Sequence, residues 1–116
     1  MRKTIEIDGV KTDFEANAGT TMLYKRAFDK DVFVEISSFS NSKGEEAGAV
    51  DSIERLAYIM NIQSRGLTLS EMLAEVSEEN YYEWLCQFSG GAFINVLKEI
   101  VGLWLNQSKT TSKSKN

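Results

Sequence analysis

At 116 residues, with 42% hydrophobic and 26% charged side chains, the chain fits one globular domain of ordinary composition and hardly two. Its net charge of −4 is the wrong sign for a general nucleic-acid binder, which needs a basic face to neutralise phosphates. With no histidine and one cysteine it has no internal disulfide, no plausible zinc site and none of the commonest general base, and a reducing cytoplasm suits it best.

The first sixteen residues read as a β-hairpin. Asp8-Gly9 is a two-residue turn signal, because a type I′ turn needs positive φ at both positions. The register that follows sets Ile7 opposite Val10, Glu6 opposite Lys11 and Ile5 opposite Thr12. One face then carries Ile5, Ile7, Val10 and Thr12, with Phe14 on the diagonal. An isolated hairpin is marginal in water, so this face has to lie on the helices or pair with another copy. The two hairpin edges therefore predict weak homo-oligomers at high concentration, through strand pairing between chains or through stacking of the broad apolar helix surfaces.

Asn17 to Thr21 offers helix caps, and a short helix is predicted over Thr21–Phe28 with Met22, Leu23, Ala27 and Phe28 as its apolar residues. Asp29-Lys30-Asp31 reads as a joint. Val32–Phe39 is rich in β-branched residues, yet Val32, Phe33, Ile36 and Phe39 fall at helical spacing, which favours helix over strand. Ser40–Gly44 reads as a loop. A longer helix is predicted over Glu45–Gln63, with Val50, Ile53, Leu56, Ala57 and Met60 as its stripe and Gly66 as its C-cap. Tyr58, Ile59 and Ile62 widen that stripe to a second face. Thr68 or Ser70 can cap the next helix, and Thr68 with Glu71 has capping-box form; Leu69, Met72, Leu73 and Val76 are its apolar residues. Ser77 starts a further helix, with Tyr81, Trp84, Leu85 and Phe88 inward, which Gly90-Gly91 ends. The last helix is predicted over Ala92–Asn106, with Phe93, Val96, Leu97, Ile100, Val101 and Trp104 inward.

Together these elements predict a mainly α protein with a small β part: an N-terminal hairpin, then a compact bundle of about five helices. Residues 1–106 form the single domain. Residues 107–116 are rich in Ser, Thr and Lys and read as a disordered, flexible tail. The charged, alternating N-terminus has no signal-peptide character, and Ala92–Leu105 is too short and too polar to span a bilayer, so no membrane partner is expected.

The chemistry inventory is close to empty, and no enzyme, cofactor or metal is expected. Cys86 lies between Leu85 and Gln87 in a predicted helix, where a buried or half-buried apolar role outweighs nucleophilic chemistry. Asp29-Lys30-Asp31 lacks the glycine and the closing glutamate of a calcium loop. Residues 67–91 hold Glu71, Glu75, Glu78, Glu79 and Glu83 with no Lys or Arg, which reads as a solvated acidic face or as a docking face for a basic partner.

The layout resembles the tail assembly chaperones of siphophages and prophages of Gram-positive bacteria. The similarity lies in the strand–Asp-Gly–strand opening over 2–16, in Leu23–Asp31, where a Tyr/Phe-basic helix runs into an acidic joint, and in Arg55–Met60. It continues in Trp84-Leu85-Cys86-Gln87-Phe88 and in Leu103–Ser108 running into a Ser/Thr/Lys tail. The family has no catalytic residues to carry over. The resemblance implies a chaperone that binds the tape measure protein and keeps it soluble until tail tube protein polymerises around it. It further implies action in the host cytoplasm and absence from the mature virion. It also implies a longer, frameshifted form whose extension contacts tail tube protein, with the C-terminal tail as its natural junction.

A helical chaperone of this kind covers amphipathic helices with apolar anchors. The candidate anchors are Phe39, Tyr58, Ile59, Ile62 and Tyr82, each of which serves equally well as core. An acidic rim that includes Glu71, Glu75 and Glu79 sets orientation and association rate. Two other readings suit the same composition: a small phage or host inhibitor or antitoxin-like binding module, and a structural tail component that stays in the particle.

Overall fold

The computed structural model describes the backbone of residues 1–41 and 47–113, and side chains over 1–37 and 50–105. The predicted loop at Ser40–Gly44 therefore falls largely outside the described residues, as do the last three residues of the tail.

Strands β1 (Arg2–Ile7) and β2 (Val10–Glu15) form the antiparallel hairpin in the predicted register, Ile7 opposite Val10 and Ile5 opposite Thr12. Asp8 and Gly9 have φ of 54° and 82°, the two positive angles of the tight turn. Ile5, Ile7, Thr12 and Phe14 are buried. Val10, expected among them, is exposed at 36%, although Ile7 opposite it is fully buried.

Among the described residues, six α-helices and one 3₁₀ helix follow: α1 (Gly19–Phe28), α2 (Val32–Asn41), α3 (Ala47–Gln63), α4 (Leu69–Glu75), α5 (Glu78–Leu85), the 3₁₀ helix (Ala92–Val96) and α6 (Leu97–Lys113). The mainly α architecture with an N-terminal hairpin is thus as predicted, and Val32–Phe39 is helix. Asp31 starts α2, its Oδ1 accepting from the backbone N–H of Phe33 at 2.9 Å and of Val34 at 3.3 Å. Thr68 and Glu71 close the capping box of α4 in both directions. Gly66 takes φ 73° in the turn after α3. Several boundaries differ from expectation: α1 begins at Gly19 rather than Thr21, α2 runs on to Asn41, and Ala92–Val96, predicted as the start of the last helix, is 3₁₀. Helix α5 stops at Leu85 rather than Phe88, since Gln87 and Phe88 donate back three residues to Trp84 and Leu85 and tighten the chain out of α geometry. The backbone of α6 continues to Lys113, beyond its predicted end near Asn106.

Helix α3 is the centre of the molecule. It packs against β2, α1, α2, α4, α6 and the 3₁₀ helix. Its predicted stripe, Ile53, Leu56, Ala57 and Met60, is fully buried, with Val50 half-buried. Rings form a continuous chain beside it. Tyr24 meets Phe28, Phe28 meets Tyr81, Tyr81 meets Tyr58, Tyr58 meets Trp84, and Trp84 meets Phe88 and Phe93, at centroid distances of 5.0–5.7 Å. Among the described residues, no helix is long and apolar enough to cross a membrane.

Candidate partner-binding surface

Encirclement of α3 decides the fate of three predicted anchors. Tyr58, Ile59 and Ile62 are 1%, 0% and 0% exposed. They are core residues and cannot meet a partner while the chain is folded, which corrects the reading of this second face as a binding face. The physical reason is that α3 has neighbours on all sides, so both of its apolar faces are used inside the molecule. Phe39 lies in α2, but its side chain falls outside the described residues.

Tyr82 is 66% exposed on the outer side of α5. Glu79, Glu83 and Cys86 share that side by helical spacing, and all three are exposed. Cys86 is therefore not the buried apolar residue expected. It sits just past the last turn of α5, opposite the face held down by Trp84. The acidic residues of α4 have local duties. The Glu71 carboxylate accepts from the Thr68 N–H at 2.9 Å, and Glu75 pairs with Arg65 at 3.4 Å. Glu79 carries no ion pair among the described residues, so of the three predicted acids it is the one left facing outward unengaged.

The apolar surface that sequence reasoning missed is on α2. Phe33 was expected inward with Val32 and Ile36. Val32 and Ile36 are buried, but Phe33 is 49% exposed and Val34 beside it is 62% exposed. The Phe33 ring lies 4.7 Å from the Trp104 ring of α6, tilted at 50°. Trp104 itself is buried, and Val101 and Leu105, at i−3 and i+1 from it, are half-buried. Phe33 thus sits on a buried indole and leaves its outer edge in water, with a second apolar residue at its side. The only sequence signal for this was an apolar excess on α2: its first three residues, Val-Phe-Val, are more than a single buried stripe holds.

Beneath α2 lies a polar cluster that locks three helices. Tyr24 donates to Glu35 at 2.5 Å, and Arg55 donates to the Tyr24 hydroxyl at 3.1 Å and to Glu35 at 3.3 Å. The Arg55 guanidinium also lies over the Phe28 ring at 5.9 Å. Burial, and then the hydrogen bond to Glu35, push the Tyr24 phenol well above its ordinary value. Burial and the nearby Glu54 carboxylate do the same to Tyr81. Phe28 of α1, Arg55 of α3 and Tyr81 of α5 are among the residues lining a groove of about 370 Å³. A second groove, of about 400 Å³, runs between β2, the end of α3 and α5, with Trp84 and Phe88 among its lining and Lys11 and Arg65 charged beside them. Among the described residues, no group of three or more His, Cys, Asp or Glu is placed to hold a metal ion.

No protein-family model, curated protein or solved structure matches the chain.

Proposed function

We propose that the chain is a protein-binding module, that its main anchors are Phe33 and Val34, and that its partner is the tape measure protein of a phage tail. The observation that carries the binding reading is the exposed Phe33–Val34 pair, held in place by the Trp104 ring. An aromatic residue fixed from below loses little freedom on docking, which is the property of an interface anchor. The choice of partner rests on the sequence resemblance to tail assembly chaperones. A tape measure protein exposes long amphipathic helices before assembly, and an apolar helix face is suited to cover such a surface. The outer side of α5, with Glu79, Tyr82 and Glu83, offers a separate acidic surface that favours basic stretches of the partner. On this reading the chain acts in the host cytoplasm and is absent from the finished virion.

The test is co-expression with a siphophage tape measure protein, taken from the same genome as the chain. The expected result is a soluble complex that co-purifies with the parent chain and is lost with the double variant Phe33→Ser/Val34→Ser, the variant retaining its circular dichroism spectrum. A tape measure protein that stays insoluble and uncomplexed with the parent chain would sink the chaperone reading. A complex that forms equally well with the double variant would move the binding surface away from α2.

A further inference from the structure

We infer that the outer edge of β1 is a self-pairing edge, through which two copies of the chain join their hairpins into one four-stranded antiparallel sheet with Thr4 facing Thr4 across a two-fold axis.

The two edges of the hairpin are not equivalent. Met1 and Ala16 exchange both of their backbone hydrogen bonds, the Ala16 N–H donating to the Met1 carbonyl at 2.8 Å and the Met1 amine to the Ala16 carbonyl at 2.6 Å. Hydrogen-bonded and non-hydrogen-bonded pairs alternate along an antiparallel ladder. With Met1 and Ala16 fixing the phase, Arg2, Thr4 and Glu6 turn their N–H and C=O groups outward from β1, and Lys11, Asp13 and Glu15 turn theirs outward from β2. On β2 the outward Asp13 carbonyl is capped by α3: it accepts from Asn61 Nδ2 at 2.8 Å and from Ser64 Oγ at 3.2 Å. On β1, no hydrogen bond within the described residues reaches the outward backbone groups of Arg2, Thr4 or Glu6. These three residues are exposed. An open edge of this length is a template for another strand.

The sequence of β1 selects the occupant. Centring the two-fold axis on Thr4 makes Arg2, Thr4 and Glu6 all face outward-pointing partners, Arg2 of one copy meeting Glu6 of the other. Each of the three facing pairs exchanges two backbone hydrogen bonds. Thr–Thr and opposite-charge pairs are both favourable cross-strand neighbours. Glu6 has no ion pair within the described residues, so its charge is available. Arg2 donates to the Ser64 carbonyl at 2.8 Å and lies 3.9 and 3.8 Å from the Asp13 and Glu15 carboxylates of its own chain; its side chain stays 55% exposed, and in the dimer Glu6 of the other copy joins it from that side. Moving the axis by one residue leaves one facing pair without a strand partner, and moving it to Lys3 sets two lysines opposite each other. Lys3, the one residue suited to guard the edge, is drawn to Glu99 at 3.7 Å. The same-facing geometry keeps Ile5 and Ile7 of both copies on the helix-covered side and leaves Arg2, Thr4 and Glu6 on the polar side.

Sedimentation equilibrium of the full chain, carried into the millimolar range, reads the dimer directly. Thr4→Pro is the sharpest variant, since its missing N–H is one that points outward and proline is tolerated at such edge positions. It is expected to leave the circular dichroism spectrum unchanged and to abolish the dimer. Glu6→Arg, which sets arginines opposite each other twice, is expected to weaken it about tenfold. As an independent readout, Thr4→Cys in a Cys86→Ser background is expected to cross-link under mild oxidation, because facing Cα atoms of a hydrogen-bonded pair lie about 5.5 Å apart, within disulfide reach. Glu6→Cys in the same background is expected not to, since each Glu6 lies far from its own mate. A parent chain that stays monomeric overturns the inference, as does a dimer that survives Thr4→Pro or a Glu6→Cys cross-link as efficient as that of Thr4→Cys. A monomeric parent whose binding to a second protein is lost on Thr4→Pro would assign the edge to that protein's strand and likewise overturn self-pairing.

Discussion

Arg55 on α3 and Glu35 on α2 face each other at 3.3 Å, and the Tyr24 hydroxyl of α1 lies between them, bonded to both. Three helices brought together from well-separated stretches of sequence are held at one point, with the Arg55 and Glu35 side chains only 17% and 22% exposed.

Breaking this cluster leaves a partly buried charge without its counterpart. Arg55→Ala is therefore expected to destabilise the fold by about 2–3 kcal/mol, below the full cost of a wholly buried pair because both groups keep some solvent. Urea denaturation checks it. An unchanged midpoint would mean that the cluster contributes nothing net.

Ile59 and Phe33 should behave oppositely. Ile59 is 0% exposed on the encircled helix, and Ile59→Ala is expected to cost about 2–5 kcal/mol through the lost burial and the cavity left behind. Phe33→Ala removes a half-exposed ring and its stacking on Trp104, and is expected to cost about 1 kcal/mol. Thermal melts of the two variants separate a core position from a surface anchor. Equal losses would contradict the placement of Phe33.

Helix α4 has no buried residue, so its stability depends more than usual on its cap. Thr68→Ala is expected to cost about 1 kcal/mol. Hydrogen exchange should show the first amides of α4 losing protection while those of α3 keep theirs. Uniform protection loss in both helices would show that α4 does not unfold separately.

Alkaline pH should weaken the fold through Tyr24 and Tyr81. Both phenols have pKa values raised in the folded state above the ordinary value of 10.0, first by burial and then by neighbouring carboxylates. The folded chain thus holds these protons more tightly than the unfolded chain. Their contribution is fully present below about pH 10 and is lost as pH rises through the folded values. Stability measured across that range should fall, and fall less steeply in the double variant Tyr24→Phe/Tyr81→Phe. A parent protein of constant stability through and above pH 10 would contradict this.

Much of the fold was legible in the sequence because its signals are local. Asp8-Gly9 is a turn since only the two central residues have to accept positive φ, and that turn then fixes the strand register. Thr68 with Glu71 is a cap because two side chains and two backbone groups within one turn of chain satisfy each other. Helical spacing alone gave Ile53, Leu56, Ala57 and Met60 as buried. Exposure of a second apolar face is another kind of question. By spacing, Phe33 belongs to the α2 stripe with Val32 and Ile36, and Tyr58, Ile59 and Ile62 form a second face on α3, yet Phe33 is the exposed one and those three are buried. Only packing separates them. β2, α1, α2, α4, α6 and the 3₁₀ helix close around α3, whereas Phe33 rests on Trp104 with its outer edge in water. The open edge of β1 follows the same rule. The hairpin register was written in the sequence, but Asn61 and Ser64 cap β2 and leave β1 uncovered because the end of α3 comes to rest on one side of the sheet and not the other. Local chemistry determines what each segment becomes; which of its surfaces remains free is set by residues tens of positions away, through contacts that exist only once the chain has closed on itself.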